Sequence, residues 1–141
     1  MVALNASAYT IPTDAPEADG TLAWSSTTLV LVEASADGLT GLGWTYGPAA
    51  VTQVVAGQLA EVVRDIDPDD VPAAWVAMQH SLRNAGRPGI GGLALSAVDN
   101  ALWDLKARRW ERPLTRLLGT VRDAGVEAVQ DSEQTRDQTA G

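Results

Sequence analysis

The chain has 141 residues, 45% of them apolar, with one His, one Lys and no Cys or Phe, a length that fits one domain burying roughly two thirds of its unfolded surface. Without Cys, disulfide frameworks, zinc ribbons and thiol nucleophiles are excluded; a lone His80 excludes a His-rich metal site, and a lone Lys106 excludes chemistry that needs two lysines. A net charge of −8 and a pI near 4.4 oppose contact with phosphate backbones, so nucleic acid is not an expected partner.

Residues 1–8 carry no basic start ahead of an apolar core, and no apolar run approaches the ~20 residues a membrane helix needs. A cytoplasmic chain without a membrane partner is the expectation. Ala6 to Pro12 reads as a first strand, and Thr13 to Gly20 (TDAPEADG) gathers Pro, Asp and Gly into what reads as a long polar loop. Ser26 to Ala34 is rich in β-branched residues, Ala36-Asp37-Gly38 supplies a turn, and Leu39 to Trp44 resumes an extended pattern. The first third is therefore an antiparallel three-stranded meander.

The hydrophobic period then lengthens. Val51, Val54, Val55, Leu59, Val62 and Val63 share one face of a helix introduced by Gly47-Pro48. A second helix runs from about Pro72 to Arg83, with Asp70 as N-cap and Ala74, Trp75, Met78 and Leu82 inward. Asn84 to Gly92 breaks it, a third and longer helix runs from near Leu93 to about Arg109, and Pro113 to Leu118 forms a short fourth. The fold class is α+β: a meander followed by three to four helices. Gln130 to Gly141 contains no large apolar residue and reads as a disordered polar tail.

The third helix is the most informative. Leu93, Ala94, Leu95, Ala97, Val98, Ala101, Leu102 and Leu105 form a broad apolar arc, while the remaining arc holds Ser96, Asp99, Trp103 and Trp110. Two tryptophans among small and acidic groups, where solvent would favour Lys and Glu, point to a second domain or subunit packed on that face. The competing reading lays both rings flat on local side chains.

Three other patterns fail on context. Gly89-Ile-Gly91-Gly-Leu-Ala94 has the spacing of a dinucleotide fingerprint, but no strand feeds it. Asp65-Ile-Asp67-Pro-Asp69-Asp70 imitates half a calcium loop, yet Asp70 and Val76 stand where Gly and Glu are required. His80 lies off the apolar stripe of its helix with no nucleophile or orienting acid assigned to it. Trp24, ending the first loop, and Tyr46, beside Thr45 at the end of the third strand, carry the large amphipathic rings typical of binding surfaces, whereas Trp44 reads at least equally as a cap on the core.

Gly86 to Arg108 (GRPGIGGLALSAVDNALWDLKAR), followed by Pro113-Leu114 and Leu117-Leu118-Gly119, resembles the end of the N-terminal capping domain in the mandelate racemase/muconate lactonizing enzyme branch of the enolase superfamily. Thr28 to Glu33, Asp37-Gly38 and Gly41 to Tyr46 resemble that domain's meander, so the likeness spans about Ala6 to Val129.

The resemblance implies an enolase N-terminal domain-like cap over residues 1–125. Residues 126–141 then hold the start of a barrel strand or linker and the tail. It implies a (β/α) barrel partner, in cis or in trans, with chemistry at the ends of its strands. That chemistry is Mg²⁺-dependent abstraction of the proton α to a carboxylate, as in racemases, acid-sugar dehydratases and cycloisomerases acting on small carboxylate or acid-sugar substrates. The cap's role is specificity and solvent exclusion through the loops after its first and third strands, which makes Trp24, Thr45 and Tyr46 candidate substrate contacts. Ser96, Asp99, Trp103 and Trp110 become the candidate interdomain face. Catalytic and metal-binding residues are expected on the barrel, so a chain truncated before it is expected to bind no Mg²⁺ and to be inactive alone. The alternative is a non-catalytic binding or homo-oligomeric interaction module that retains the cap fold and uses the Asp99, Trp103 and Trp110 face to pair with itself or another protein.

Overall fold

The structure, a computed structural model, describes residues 1–119; the expected barrel strand and polar tail lie outside the described residues. Strands β1 (Ala3–Ala18), β2 (Ala23–Ala36) and β3 (Leu39–Tyr46) form one antiparallel sheet in the order β1-β2-β3. The β2–β3 connection is a two-residue turn in which Asp37 (φ 51°) and Gly38 (φ 80°) both take positive φ, the geometry that matches the twist of a hairpin.

The polar loop expected at Thr13 to Gly20 is instead largely strand. β1 continues to Ala18, and its ladder with β2 skips from Pro12↔Ser26 to Glu17↔Trp24, so Thr13, Asp14, Ala15 and Pro16 bulge opposite Ser25 alone. Pro12 and Pro16 donate no ladder hydrogen bonds, and the bulge accommodates them without ending the pairing. The chain reverses only at Asp19, whose Oδ1 accepts from the backbone N of Thr21 and Leu22 (2.7 and 2.8 Å) and from the Thr21 hydroxyl (2.8 Å). Those donors, the Thr21 backbone first, hold the Asp19 carboxyl below its ordinary range. Because β3 ends opposite Leu29, the outer parts of β1 and β2 project as a two-stranded ribbon.

Three consecutive helical segments, Val51–Val54, Val55–Leu59 and Ala60–Val63, make up α1, and the middle one is a π turn. Its buried residues are Val51, Val55, Leu59 and Val63. A spacing of four drifts around a regular helix, and the wider turn offsets that drift and keeps all four on the core. Val54 and Val62, expected on the same face, are partly buried at its edge.

Helix α2 (Val71–Ser81) starts as expected: Asp70 Oδ1 accepts from Ala73 N at 3.1 Å and Pro72 occupies the first turn. Val71, Ala74, Met78 and Leu82 are buried, whereas Trp75, expected inward, is 39% exposed. The buried positions repeat at three and four residues, and that phase turns Trp75 toward the neighbouring helix instead. Gln58 on α1 donates to the carbonyl and hydroxyl of Ser81 (2.8 and 2.9 Å), tying α1 to α2.

After a turn through residues 84–91, helix α3 (Gly92–Arg109) lies across the sheet, and a short α4 (Leu114–Leu118) follows. Val30, Val32, Ala34 and Ala36 of β2 meet Ala94, Ala97, Ala101 and Leu105 of α3, with α1 and α2 closing the core beside them. Gly41 and Gly43 set the closeness of that contact. A Cβ on Gly41 would overlap the backbone of Ala101 and Leu105, and one on Gly43 the backbone of Ala97 and Ala101. Strand and helix therefore touch main chain to main chain, an approach only glycine permits.

Candidate functional site

Thr45 and Tyr46 are the last two residues of β3 rather than part of a loop, because the ladder with β2 persists to Leu29↔Tyr46 and Gly47 N still bonds Thr28 O at 3.1 Å. Strand alternation points them to opposite sides. Thr45 shares the helix-covered side with Gly41 and Gly43 and is half-buried, while Tyr46 lies on the open side, 56% exposed. Tyr46 packs edge to face on Trp44, ring centres 5.3 Å apart. The competing reading of Trp44 as a cap on the core fails, since it is 53% exposed on the open side.

Trp24 is also a strand residue, not a loop end. Its indole N donates to Glu17 Oε2 at 2.9 Å across the ribbon, holding a half-buried ring beyond the edge of β3. Leu29, the ladder partner of Tyr46, is five positions further along β2, or roughly 16 Å at strand spacing. The structure thus sets Trp24 and Tyr46 at the same end of the sheet but on opposite faces, since Trp24 alternates in phase with Val30 and Tyr46 with its partner Leu29, and not in contact.

Sequence reasoning overlooked the open face of the sheet. Tyr9 and Tyr46 flank Leu29, and Ser7 and Trp44 flank Leu31, so with Ile11 and Leu42 they form an apolar surface that no described element covers. The signal was available, since both faces of TLVLVE are apolar where a one-sided sheet alternates.

Ser96, Asp99 and Trp103 fall on one stripe of α3, turned away from the sheet, and Trp110, the residue that caps its C-terminus, continues that stripe. Ser96 and Trp110 are exposed; Asp99 and Trp103 are half-buried. Lys106 lies on the same stripe with its Nζ 5.2 Å from the Trp103 ring centre and 5.0 Å from that of Trp110. Burial raises the Asp99 carboxyl above its ordinary value. α3 spans 18 residues, roughly 27 Å, and runs with Leu93 beside Gly47 and Leu105 beside Gly41. Tyr46 therefore sits near its start and Trp110 at its far end.

The far end is fastened by Arg109. Its guanidinium meets Asp69 through Nε and Nη2 (3.1 and 3.5 Å) and also pairs with Asp37 in the β2–β3 turn. The Arg109 hydrogen bonds hold Asp69 below the usual carboxylate range and raise Arg109 itself. Asp69, placed by sequence in an imitation calcium loop, is instead half of an ion pair. Asp104 accepts from the backbone N of Leu42 on the free edge of β3 at 2.8 Å and from Arg108 at 2.8 Å. His80 is exposed on α2. Among the described residues no three acidic or imidazole side chains converge on a point where they could hold a metal ion. The described residues thus offer no ligand set that fits the Mg²⁺ the resemblance implies. No helix among them is long and apolar enough to cross a membrane.

The described residues thus form an α+β domain, with helices on one side of a three-stranded sheet, a projecting ribbon and exposed aromatics at one end, and a stripe of α3 turned away from the sheet. Residues 8–119 match the N-terminal domain of mandelate racemase / muconate lactonizing enzyme, and the chain belongs to that family. The fold agrees with the α+β cap of that superfamily. The crystal structure of a mandelate racemase/muconate lactonizing enzyme-like protein from Rubrobacter xylanophilus superposes with a TM-score of 0.80 at 55% identity, over 82% of this chain and 32% of that one. A racemase from Streptomyces coelicolor with bound magnesium gives 0.79 at 36% identity, over 84% and 35%. Among curated relatives, the 3,6-anhydro-alpha-L-galactonate cycloisomerase of Streptomyces coelicolor is 44% identical over 59% of this chain and 24% of its own length. L-talarate/galactarate dehydratase of Salmonella typhimurium is 34% identical over 64% and 23%. The chain spans about a quarter of the length of these curated relatives.

Proposed function

We propose that the chain is the substrate-specificity cap of an enzyme that abstracts the proton α to a carboxylate, seated on a (β/α) barrel that supplies the Mg²⁺ ligands and the base. The observation that carries this reading is the family match over residues 8–119, joined to an edge of the sheet with little to do for the fold itself. Trp24 and Tyr46 are costly to expose, and each is held in place, by Glu17 and by Trp44 respectively. Rings fixed in this way exclude water from a small substrate and offer an indole or phenol edge for hydrogen bonding. The names of the relatives, cycloisomerases and acid-sugar dehydratases, favour a small carboxylate or acid-sugar substrate. Thr45, turned toward the helices, supports the edge from beneath.

On this reading the stripe of Ser96, Asp99, Trp103 and Trp110 receives the barrel, and the 141-residue chain by itself shows no α-proton exchange. Adding the barrel domain of L-talarate/galactarate dehydratase in trans is expected to restore metal-dependent turnover. Trp24→Ala or Tyr46→Ala should then change the ratio of kcat/KM between two acid-sugar substrates by about tenfold. Unchanged ratios in both variants contradict the specificity role.

A second reading is favoured by the open face bearing Tyr9, Ile11, Leu42, Trp44 and Tyr46: a non-catalytic module that associates with itself. A dimer stable to dilution in light scattering, lost in Trp44→Ser, supports it.

A further inference from the structure

Between α2 and α3 lies an open cleft of about 360 Å³, lined by Val71, Pro72, Trp75, Val76, Asp99 and Trp103. Its size is at the lower end of ligand-binding clefts, and its wall is made of two indoles, two valines, a proline and one carboxylate. Asp99 is half-buried there and makes no hydrogen bond or ion pair among the described residues. Arg64, Arg87, Arg108 and Arg109 are all turned to other partners.

We propose that this cleft is a seat for a guanidinium, filled by an arginine side chain of the polypeptide that packs on the α3 stripe. The inference rests on reading that stripe as a covered interface, and it adds the chemistry of the group that enters. A carboxylate shielded from water is stabilised most by a cation that comes with little hydration of its own. Guanidinium is weakly hydrated, meets a carboxylate through two parallel N–H donors, and stacks on indole faces, whereas an ammonium keeps its water and offers a point charge. The valines and Pro72 suit the apolar stem of an arginine. Charge complementarity agrees, since a chain of net charge −8 is matched by a basic partner surface.

The test uses the full 141-residue chain with labelled tryptophan indoles, titrated with N-acetyl-arginine amide and, separately, with its neutral isostere N-acetyl-citrulline amide. The arginine compound is expected to shift the Trp75 and Trp103 indole resonances saturably with a millimolar Kd, and the citrulline compound to bind about tenfold more weakly or not at all. Asp99→Asn should lose the arginine preference. The wild-type pair of titrations stands without that variant if it fails to fold. Equal shifts from both compounds, no saturation, or an Asp99→Asn protein that still prefers arginine overturns the proposal. None of those results touches the cap reading, which stands or falls on turnover with a barrel.

Discussion

The two sides of α3 follow opposite rules. Toward the sheet, Ala97, Ala101 and Leu105 lie so close to Gly41 and Gly43 that no side chain separates strand from helix, and the residues of α3 buried against it are all apolar. Outward, the same helix presents Asp99, Trp103 and Trp110, a carboxylate raised by burial and two large rings partly in water. The inner side is optimised for one fixed neighbour that the chain contains. The outer side keeps groups that gain little from solvent, as the proposed interface with another polypeptide requires.

The sharpest way to break this contrast is at the glycines. Gly41→Ala or Gly43→Ala should cost about 3 kcal/mol or more in urea unfolding, because the displaced partner is helix backbone that cannot swing aside. Gly57→Ala, whose Cβ meets nothing within 4 Å on α1, should instead be neutral or stabilise by up to about 1 kcal/mol. Equal losses at Gly43 and Gly57 would show that closeness is not what matters.

A smaller effect is expected at the Arg109 clamp, where Arg109→Ala should cost about 1 kcal/mol at neutral pH, discounted for a pair partly in solvent. Since Asp69 is held below its ordinary value, its contribution is present above the ordinary carboxylate pKa and lost as pH falls through the lowered one. The variant should accordingly show a shallower acid limb in a plot of Tm against pH.

The smallest effect is on the outer side and has the opposite sign. Asp99 titrates above its ordinary value, so the folded chain holds that proton more tightly than the unfolded chain, and stability falls as pH rises between the two values. Asp99→Asn should therefore stabilise the chain slightly at pH 7 and leave it unchanged near pH 3, as read by thermal unfolding. A loss of stability at pH 7 would mean that Asp99 already has a partner.

The meander, the helices, the Asp70 cap and the Asp37-Gly38 turn were legible because each rests on local chemistry. Pro12 and Pro16 disguised the ribbon, since prolines predict a loop and a bulge can absorb them with the ladder intact. The alternation Gly41-Leu42-Gly43 carried a readable sign of close approach, but its counterpart on α3 is more than fifty residues away. For Trp75 a three- or four-residue spacing admits two adjacent phases, one of them inward, and only the position of α3 decides between them. The Arg109 pairs, separated by 40 and 72 residues, leave no local trace. For the candidate site, the residue types were readable, but strand alternation separated Thr45 from Tyr46, and the bulged ladder carried Trp24 outward.

The most direct measurement of the central claim is hydroxyl-radical footprinting of the full chain, alone and with the barrel domain of L-talarate/galactarate dehydratase. A cap seated through the outer side of α3 predicts that Trp103 and Trp110 lose most of their reactivity when the barrel is added. Unchanged oxidation of both rings would contradict it.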